Sequence, residues 1–306
     1  HIKNTNKYDI NKSLNKIGYK IKNKISETLQ GSVYLGKNIN TNKIVCIKVT
    51  SQKLHTKGIG NGITNKVKVQ ENIIKEVSIM KYLQNKSPPK GFIKVLDYFK
   101  DTSNYYVIME YGGKPFFEYI RNKTKQLHTG KITSKYWKSQ VKTFFKQMVY
   151  YVNWLHSNNC CHLDISLENC LIDEETNTVK FCDYGLAEYF QINFKCNKFC
   201  GKPNYTSPEI HNKKIGFDAS KADLWSLGVV LGMMLTGSPL YKKASLSDPY
   251  FCNIYYGFLK DMTITWDSNK AMSNSAYDLL NGIFKPEKER LTMNDIMNHK
   301  YLQNVE

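Results

Sequence analysis

The hydrophobic pattern of this chain changes its period once, close to Gly113. Before that point, short runs with strand-like alternation dominate, and one pattern at helical spacing interrupts them around 69–83. After it, long amphipathic segments predict helices at about 134–157, 220–236 and 273–284. We therefore predict an α+β fold, in which a small sheet with one main helix precedes a larger, mostly helical part. The predicted strands are Ile21–Ile25, Val33–Lys37, Ile44–Val49, Ile93–Phe99 and Tyr105–Met109.

Three segments lie outside this regular pattern. Residues 1–17 are polar and rich in Lys and Asn, and we expect an N-terminal extension there, either a poorly ordered arm or an added edge strand. Residues 53–69 are rich in Gly and Lys and are predicted to form an insertion loop. The short segment 110–113 is the expected hinge between the two parts of the chain.

A net charge of +18 raises the question of a nucleic-acid partner, which a clustered basic face would bind. The basic residues are instead spread along the chain, and only Arg121 and Arg290 are arginines. We therefore expect solvated surface lysines and no nucleic-acid partner.

The cysteines indicate a reducing environment. The eight cysteines contain no C-x-x-C pair, which argues against a disulfide framework and against a zinc site. The longest apolar stretch, Leu227–Leu235, is too short to span a bilayer. We expect an intracellular protein, cytoplasmic or nuclear, without a membrane span.

The segment HLDISLEN at 162–169 and the tripeptide at 183–185 together carry two carboxylates and a carboxamide. Transfer of a γ-phosphate requires a divalent metal that neutralises charge on the phosphate oxygens, and a group that holds the attacking hydroxyl in line. Asp164 is the candidate for orienting the hydroxyl, and Asn169 and Asp183 are the candidate metal ligands.

These two motifs resemble the catalytic loop H-R-D-x-K-x-x-N and the metal tripeptide D-F-G of the protein kinases. The resemblance extends over about residues 19–302 and implies a bilobal protein kinase fold. The N-lobe, a five-stranded antiparallel sheet with one main helix, is implied for 18–110, and a mostly helical C-lobe for 111–302. The implied activity is ATP-dependent transfer to serine or threonine hydroxyls of protein substrates by a monomeric domain, with Mg²⁺ or alternatively Mn²⁺.

Two further motifs of that family concern ATP. The strand sequence VCIK places Lys48 where the family holds the α- and β-phosphates, and Glu76 on the following helix is its implied partner. In the phosphate-covering stretch SETLQGSV, only Gly31 remains of the usual three glycines, because Ser26 and Thr28 replace the others. The residues implied to surround the adenine are Ile25, Val33, Cys46, Met109, Glu110, Tyr111, Leu171 and Cys182.

The glycine-poor loop leaves a second function open, that of a pseudokinase that binds nucleotide or a partner without turnover. A group of protozoan-parasite kinases named for an F-I-K-K tetrad also combines an eroded glycine loop with H-L-D. This chain has CIKV at 46–49, and that subfamily therefore stays open.

Two motifs of the C-lobe are implied to be structural. The segment CGKPNYTSPE resembles the substrate-docking segment of serine/threonine kinases, whose final residue, Glu209, needs a buried cation that Arg290 is implied to supply. In KADLWSLG, Asp223 is implied to support the backbone of the catalytic loop.

Four departures from the family pattern affect catalysis and control. Leu163 replaces an arginine that usually pairs with a phosphorylated residue, so activation by loop phosphorylation is not expected. Ser166 replaces a lysine and Lys202 replaces a threonine, so the ammonium and the hydroxyl have exchanged loops. We expect Lys202 to supply the positive charge and Ser166 the hydroxyl, with coincidence in a lysine-rich chain as the alternative. Tyr184 replaces phenylalanine and adds a hydroxyl that needs a partner.

Overall fold

The computed structural model describes residues 7–62, 65–190, 195–266 and 272–303. The chain divides into two compact units. Unit 1 ends at Gly112 and leaves out residues 88–91, and unit 2 consists of those four residues and the chain from Gly113 onward.

Unit 1 is built on a five-stranded antiparallel sheet, whose strands in spatial order are β1 (Tyr19–Thr28), β2 (Gly31–Asn38), β3 (Ile44–Ser51), β7 (Asn104–Glu110) and β6 (Val95–Lys100). All the predicted strands are present, and the main helix begins at Ile73, where the Asn72 side chain caps the amides of Ile74 and Lys75. The elements in chain order are α1 (Lys7–Lys16), β1 (Tyr19–Thr28), β2 (Gly31–Asn38), β3 (Ile44–Ser51), α2 (Gln52–Thr56), β4 (Ile59–Asn61), β5 (Lys66–Lys68), α3 (Ile73–Gln84), β6 (Val95–Lys100) and β7 (Asn104–Glu110).

The N-terminal extension is not the arm or edge strand that we expected, because residues 7–16 form the helix α1. Its Ile10 and Leu14 are buried in one cluster with Val45 and Ile47 of β3. The i,i+4 spacing of this apolar pair fits one face of a helix. A single pair among polar residues is too weak a periodicity to predict it. Residues 1–6 lie outside the described part of the chain.

The insertion is not the loop that we predicted either. It contains α2 and the antiparallel pair β4 and β5. The Ser51 hydroxyl caps α2 by accepting a hydrogen bond from the Leu54 amide (3.4 Å). These elements are five and three residues long, too short to give a readable periodicity. Residues 63–64 of the predicted loop lie outside the described part of the chain.

Unit 2 is mostly helical, and with the sheet of unit 1 it confirms the predicted fold class. The predicted helices are observed as α5 (Ser134–Ser157), α7 (Ala219–Thr236) and α10 (Asn274–Ile283). The elements in chain order are β8 (Lys114–Pro115), α4 (Phe116–His128), α5 (Ser134–Ser157), β9 (Cys160–Cys161), a 3-10 helix (Leu167–Asn169), β10 (Cys170–Asp173), β11 (Thr178–Phe181), β12 (Glu188–Tyr189), α6 (Pro208–His211), α7 (Ala219–Thr236), α8 (Pro249–Tyr255), α9 (Leu259–Thr265), α10 (Asn274–Ile283), α11 (Met293–Met297) and α12 (Lys300–Gln303).

Helix α7 is the centre of unit 2. Asp218 caps its first turn, Gly237 ends it in the left-handed region (φ +73°), and nearly all its residues are buried. The indole of Trp137 on α5 donates to the carbonyl of Met234 (3.1 Å) and joins the two long helices. Despite its apolar composition, α7 does not qualify as a membrane span, and neither does any other helix in the described part of the chain.

Candidate active site

One buried carboxylate on α7 fixes the start of the loop at 162–169. Asp223 is 1% exposed and accepts hydrogen bonds from the amides of His162 and Leu163, both at 2.9 Å. The ring of His156 at the end of α5 contacts the same carboxylate at 3.0 Å. The supporting role that the resemblance implied for Asp223 is confirmed.

Asp164 follows in this loop and is oriented through one of its two carboxylate oxygens. Oδ2 accepts hydrogen bonds from Nδ2 of Asn169 (2.6 Å) and from Nζ of Lys202 (3.0 Å). Oδ1 is buried and has no hydrogen-bond partner within the described part of the chain. A buried carboxylate oxygen without a donor is unusual in a folded protein, which marks Asp164 as a candidate functional group.

Lys202 also reaches Ser166, with 3.1 Å between Nζ and Oγ. Ser166 is fully buried and accepts the amide hydrogen bond of Asn169 (3.2 Å), so its hydroxyl position is fixed from two sides. Gly201 permits the approach of this segment, because a Cβ there would lie 3.0 Å from the carbonyl oxygen of Leu163. The Lys202 ammonium therefore lies within hydrogen-bonding distance of both the Asp164 carboxylate and the Ser166 hydroxyl.

The two candidate metal ligands lie at the two ends of one hairpin. Asn169 directly precedes β10 and Asp183 lies two residues after β11, with Cys170 and Phe181 paired between them. The amide of Cys182 donates to the carbonyl of Asn169 (3.0 Å), which holds the two chain segments together. Asn169 donates through Nδ2, so its side-chain oxygen is an acceptor, and a carboxamide and a carboxylate oxygen fit a hard divalent cation.

The hydroxyl that Tyr184 adds to the tripeptide has a partner. Both Tyr184 and Tyr151 of α5 are buried, and their hydroxyls are hydrogen-bonded to each other. Burial raises the pKa of both phenols, so both stay neutral. The Tyr184 ring packs on His162 with 5.1 Å between centroids, and burial lowers the pKa of that histidine, which favours a neutral imidazole.

In unit 1, Lys48 and Glu76 form a buried ion pair with 2.8 Å between Nζ and Oε2. Their side chains are only 11% and 4% exposed. Cys46, two residues before Lys48 on β3, has its pKa raised to about 11 by desolvation, so its thiol is protonated at neutral pH. The pair that the resemblance implied is therefore formed within this unit.

The other residues predicted to bind nucleotide are distributed between the units. Gly31 has a packing reason to be glycine, because a Cβ would lie 1.9 Å from the carbonyl oxygen of Val49 on β3. Ser26 is exposed and Thr28 is half-buried at the end of β1. The remaining residues in unit 1 are Ile25 and Tyr111, both exposed, and Val33, Met109 and Glu110, all half-buried; those in unit 2 are Leu171 and Cys182, both half-buried.

Leu163 lies in an apolar cluster, called here the Leu163 cluster. Its members come from the catalytic loop, from the segment after the metal tripeptide and from the start of α7, so the cluster holds these segments together. Lys198 adds polar anchoring, since Nζ donates to the carbonyl of Leu186 (2.8 Å) and to Glu188 (3.0 Å). The buried residues of the cluster are Cys161, Leu163, Cys196, Cys200, Ile210, Phe217, Ala219 and Ala222.

Glu209 and Arg290 form the buried pair that the sequence predicted. Nη1 and Nη2 of the arginine bind the two carboxylate oxygens at 2.5 and 3.0 Å. Arg290 also donates to the carbonyls of Lys221 and Lys285, and its guanidinium lies 4.9 Å from the ring centroid of Trp225. Arg290 is 2% exposed, and each of its three guanidinium nitrogens donates a hydrogen bond.

Sequence reasoning missed Tyr151 and His156. Each contacts a side chain of the site, Tyr184 and Asp223 respectively, and the sequence does not identify these pairs. For Tyr151 there was a signal, the unpaired hydroxyl expected of Tyr184, but the chain has 21 tyrosines.

Residues 19–302 match the family model described as Protein kinase domain. The chain is 29% identical over 283 residues to the probable serine/threonine-protein kinase MARK-B of Dictyostelium discoideum, which covers 91% of this chain and 35% of that protein. It is 30% identical over 274 residues to MARK-C of the same organism (89% of this chain, 31% of that protein). It is 27% identical over 279 residues to the SNF-related serine/threonine-protein kinase of Homo sapiens (90% and 32%). The chain thus spans about a third of the length of these relatives.

Proposed function

Since the chain belongs to the protein kinase family, we propose that this domain transfers the γ-phosphate of ATP to serine and threonine hydroxyls of protein substrates, with Mg²⁺ as the metal ion. The observation that carries the proposal is the cluster of Asp164, Ser166, Asn169 and Lys202, joined by hydrogen bonds of 2.6 to 3.2 Å. Such a cluster matches the main needs of phosphoryl transfer, which are positioning and charge.

Each residue of the cluster has a distinct task in the proposed reaction. Asp164 accepts the hydrogen bond of the substrate hydroxyl, and Asn169 and Lys202 hold its carboxylate in place through Oδ2. The Lys202 ammonium offsets the negative charge that develops on the transferring group, and Ser166 holds that ammonium in place. A divalent metal at Asn169 and Asp183 would neutralise the remaining phosphate oxygens. In unit 1, Lys48 binds the α- and β-phosphates and is oriented by Glu76.

The pseudokinase alternative rested mainly on the glycine-poor loop. Loss of catalysis usually shows in the residues that hold metal, phosphate or the substrate hydroxyl. Here Lys48 and Glu76 are paired, and Asp164 and Asn169 are hydrogen-bonded to each other. The relatives are named as serine/threonine kinases and none as a pseudokinase, so this alternative has no support.

The setting of the protein is a further part of the proposal. All eight cysteines are free thiols, which fits a reducing, intracellular environment. The proposed partners are protein substrates, and the domain is proposed to act as a monomer.

The proposal is tested by transfer of phosphate from ATP to a peptide library that offers serine, threonine and tyrosine acceptors, with Mg²⁺ and Mn²⁺ compared in parallel. Serine and threonine peptides should be phosphorylated, and Asp164→Asn should reduce kcat by about 10²- to 10⁴-fold, because the carboxamide accepts the hydroxyl proton poorly. A melting temperature like that of the wild type is the control for folding. No transfer by the wild type, or full transfer by Asp164→Asn, would contradict the proposal.

Activity is expected to be independent of phosphorylation in the segment after the metal tripeptide. The Leu163 cluster anchors this segment through apolar contacts, and leucine offers nothing that a phosphate would bind. Treatment with a broad-specificity protein phosphatase should therefore leave the initial rate within about twofold of the untreated rate. Mass spectrometry of the treated protein verifies complete dephosphorylation. A large loss of rate that returns after preincubation with ATP would show that a phosphate contact exists after all.

A further inference from the structure

The turn between β1 and β2 is fastened to the insertion that follows β3. Thr28 and Gly31 are paired, so Leu29 and Gln30 form the turn of this hairpin. The carbonyl of Leu29 accepts a hydrogen bond from the amide of Asn61 on β4 (2.6 Å). The carbonyl of Gln30 accepts one from the amide of Ser51, directly before α2 (2.8 Å). Both backbone acceptors of the turn are thus bound.

The side chain of Gln30 strengthens this attachment. Gln30 is only 5% exposed, which is unusual for a polar residue at the tip of a hairpin. Its Nε2 donates to the carbonyl of Ile59 on β4 (3.0 Å) and to that of Leu54 in α2 (3.3 Å). A single amide group therefore joins the hairpin turn to two elements of the insertion.

The hairpin turn is also closely packed against β4 at Gly60. A Cβ on Gly60 of β4 would lie 2.7 Å from the Cβ and from the carbonyl oxygen of Leu29. Gly60 is therefore glycine because the turn lies directly against β4.

We infer that Gln30 is a positioning residue, which holds the phosphate-covering hairpin on the insertion in the geometry that receives nucleotide phosphates. The inference rests on the proposed function, since it concerns ATP. A loop with three glycines has more backbone freedom to lose when phosphates bind. Here Ser26 and Thr28 carry side chains and the turn is tied down, so ordering is largely complete before binding and costs little affinity.

The test compares two ligands that differ only in their phosphates, adenosine and a non-hydrolysable ATP analogue, whose binding to the full chain is measured by calorimetry with Mg²⁺. Gln30→Ala should weaken binding of the ATP analogue about tenfold and leave the affinity for adenosine unchanged, because the phosphates are expected at the turn of the hairpin and the adenine at its strands, beside Ile25 and Val33. Hydrogen exchange without nucleotide should show faster exchange at the amides of Ser51 and Asn61 in this variant.

Gln147→Ala is the matched control, because Gln147 is a half-buried glutamine of unit 2 that also binds two backbone groups, the carbonyl of Asn177 and the amide of Val179, both at 2.9 Å. It should leave both ligand affinities unchanged. Should Gln30→Ala fail to fold, Gly60→Ala displaces the same turn from the other side and should give the same selective loss.

The possible failures are distinguishable. A wild-type protein that binds the ATP analogue no better than adenosine would overturn the proposed function and this inference with it. Tight wild-type binding with an unchanged affinity in the variant would overturn the inference alone. An equal loss for adenosine and for the ATP analogue would also overturn it, because that result indicates general damage to the unit.

Discussion

Lys202→Thr is expected to lower kcat by about 10²- to 10³-fold, with little change in the melting temperature. The substitution removes the ammonium that lies 3.0 Å from the Asp164 carboxylate, and the loss of one preorganised charge-stabilising group typically has this effect. Stability should hardly change, because the Lys202 side chain is 34% exposed and partly exposed ion pairs contribute little. Steady-state kinetics and thermal melting of the same preparation separate the two quantities.

A double exchange gives the sharper version of this test. Ser166→Lys with Lys202→Thr recreates the arrangement that the protein kinase family usually has, in which lysine and threonine lie on the opposite loops. If Lys202 and Ser166 perform the tasks of the lysine and the threonine that the family usually has, the double variant should recover most of the turnover that Lys202→Thr loses. Normal turnover in Lys202→Thr would mean that the ammonium at this place is a coincidence. A double variant slower than either single variant would rule out the exchange.

Arg290→Lys is expected to destabilise unit 2 by about 3 kcal/mol, since the lysine keeps the charge but leaves one oxygen of a buried carboxylate without its donor. The native arginine binds both oxygens of Glu209 and the carbonyls of two other residues, and an ammonium cannot reproduce that fork. For a unit of this size, the melting temperature should fall by about 10 °C.

Arg121→Lys is the natural control, because Arg121 is the other arginine of the chain. It pairs with Glu118 on α4 at 2.7 Å, but the two side chains are 67% and 47% exposed. Its replacement should shift the melting temperature by no more than about 1 °C. If Arg290→Lys has the same melting temperature as Arg121→Lys, the buried pair of Arg290 and Glu209 does not stabilise the fold more than an exposed pair does.

The motif residues were predictable because the resemblance to the protein kinases implied their positions. For Glu209 it implied a buried carboxylate with Arg290 as its partner, and the chemistry agrees, because arginine binds both oxygens of a carboxylate. The strands and the long helices α5 and α7 were predictable for a different reason, since their length gives a periodicity that stands out from chance.

The remaining features depend on contacts that sequence spacing does not encode. Helix α1 presents one apolar pair, Ile10 and Leu14, and only the folded sheet shows what these residues cover. Gln30 binds backbone carbonyls, which every residue has, so no residue type in the insertion signals the contact. The partner of Tyr184 lies 33 residues away on α5 and was one of many possible hydroxyls.

The hydroxyl pair of Tyr151 and Tyr184 has a consequence for inhibitor selectivity. A compound that binds only after the metal tripeptide has swung out must separate the two phenols and leave the Tyr151 hydroxyl buried without a partner. The penalty for such an orphaned group is about 1–3 kcal/mol, which corresponds to a loss of about tenfold to a hundredfold in affinity. Compounds that leave the tripeptide in place avoid this penalty. The hydroxyl of Tyr184 therefore favours the observed position of the tripeptide over any position that separates the two phenols.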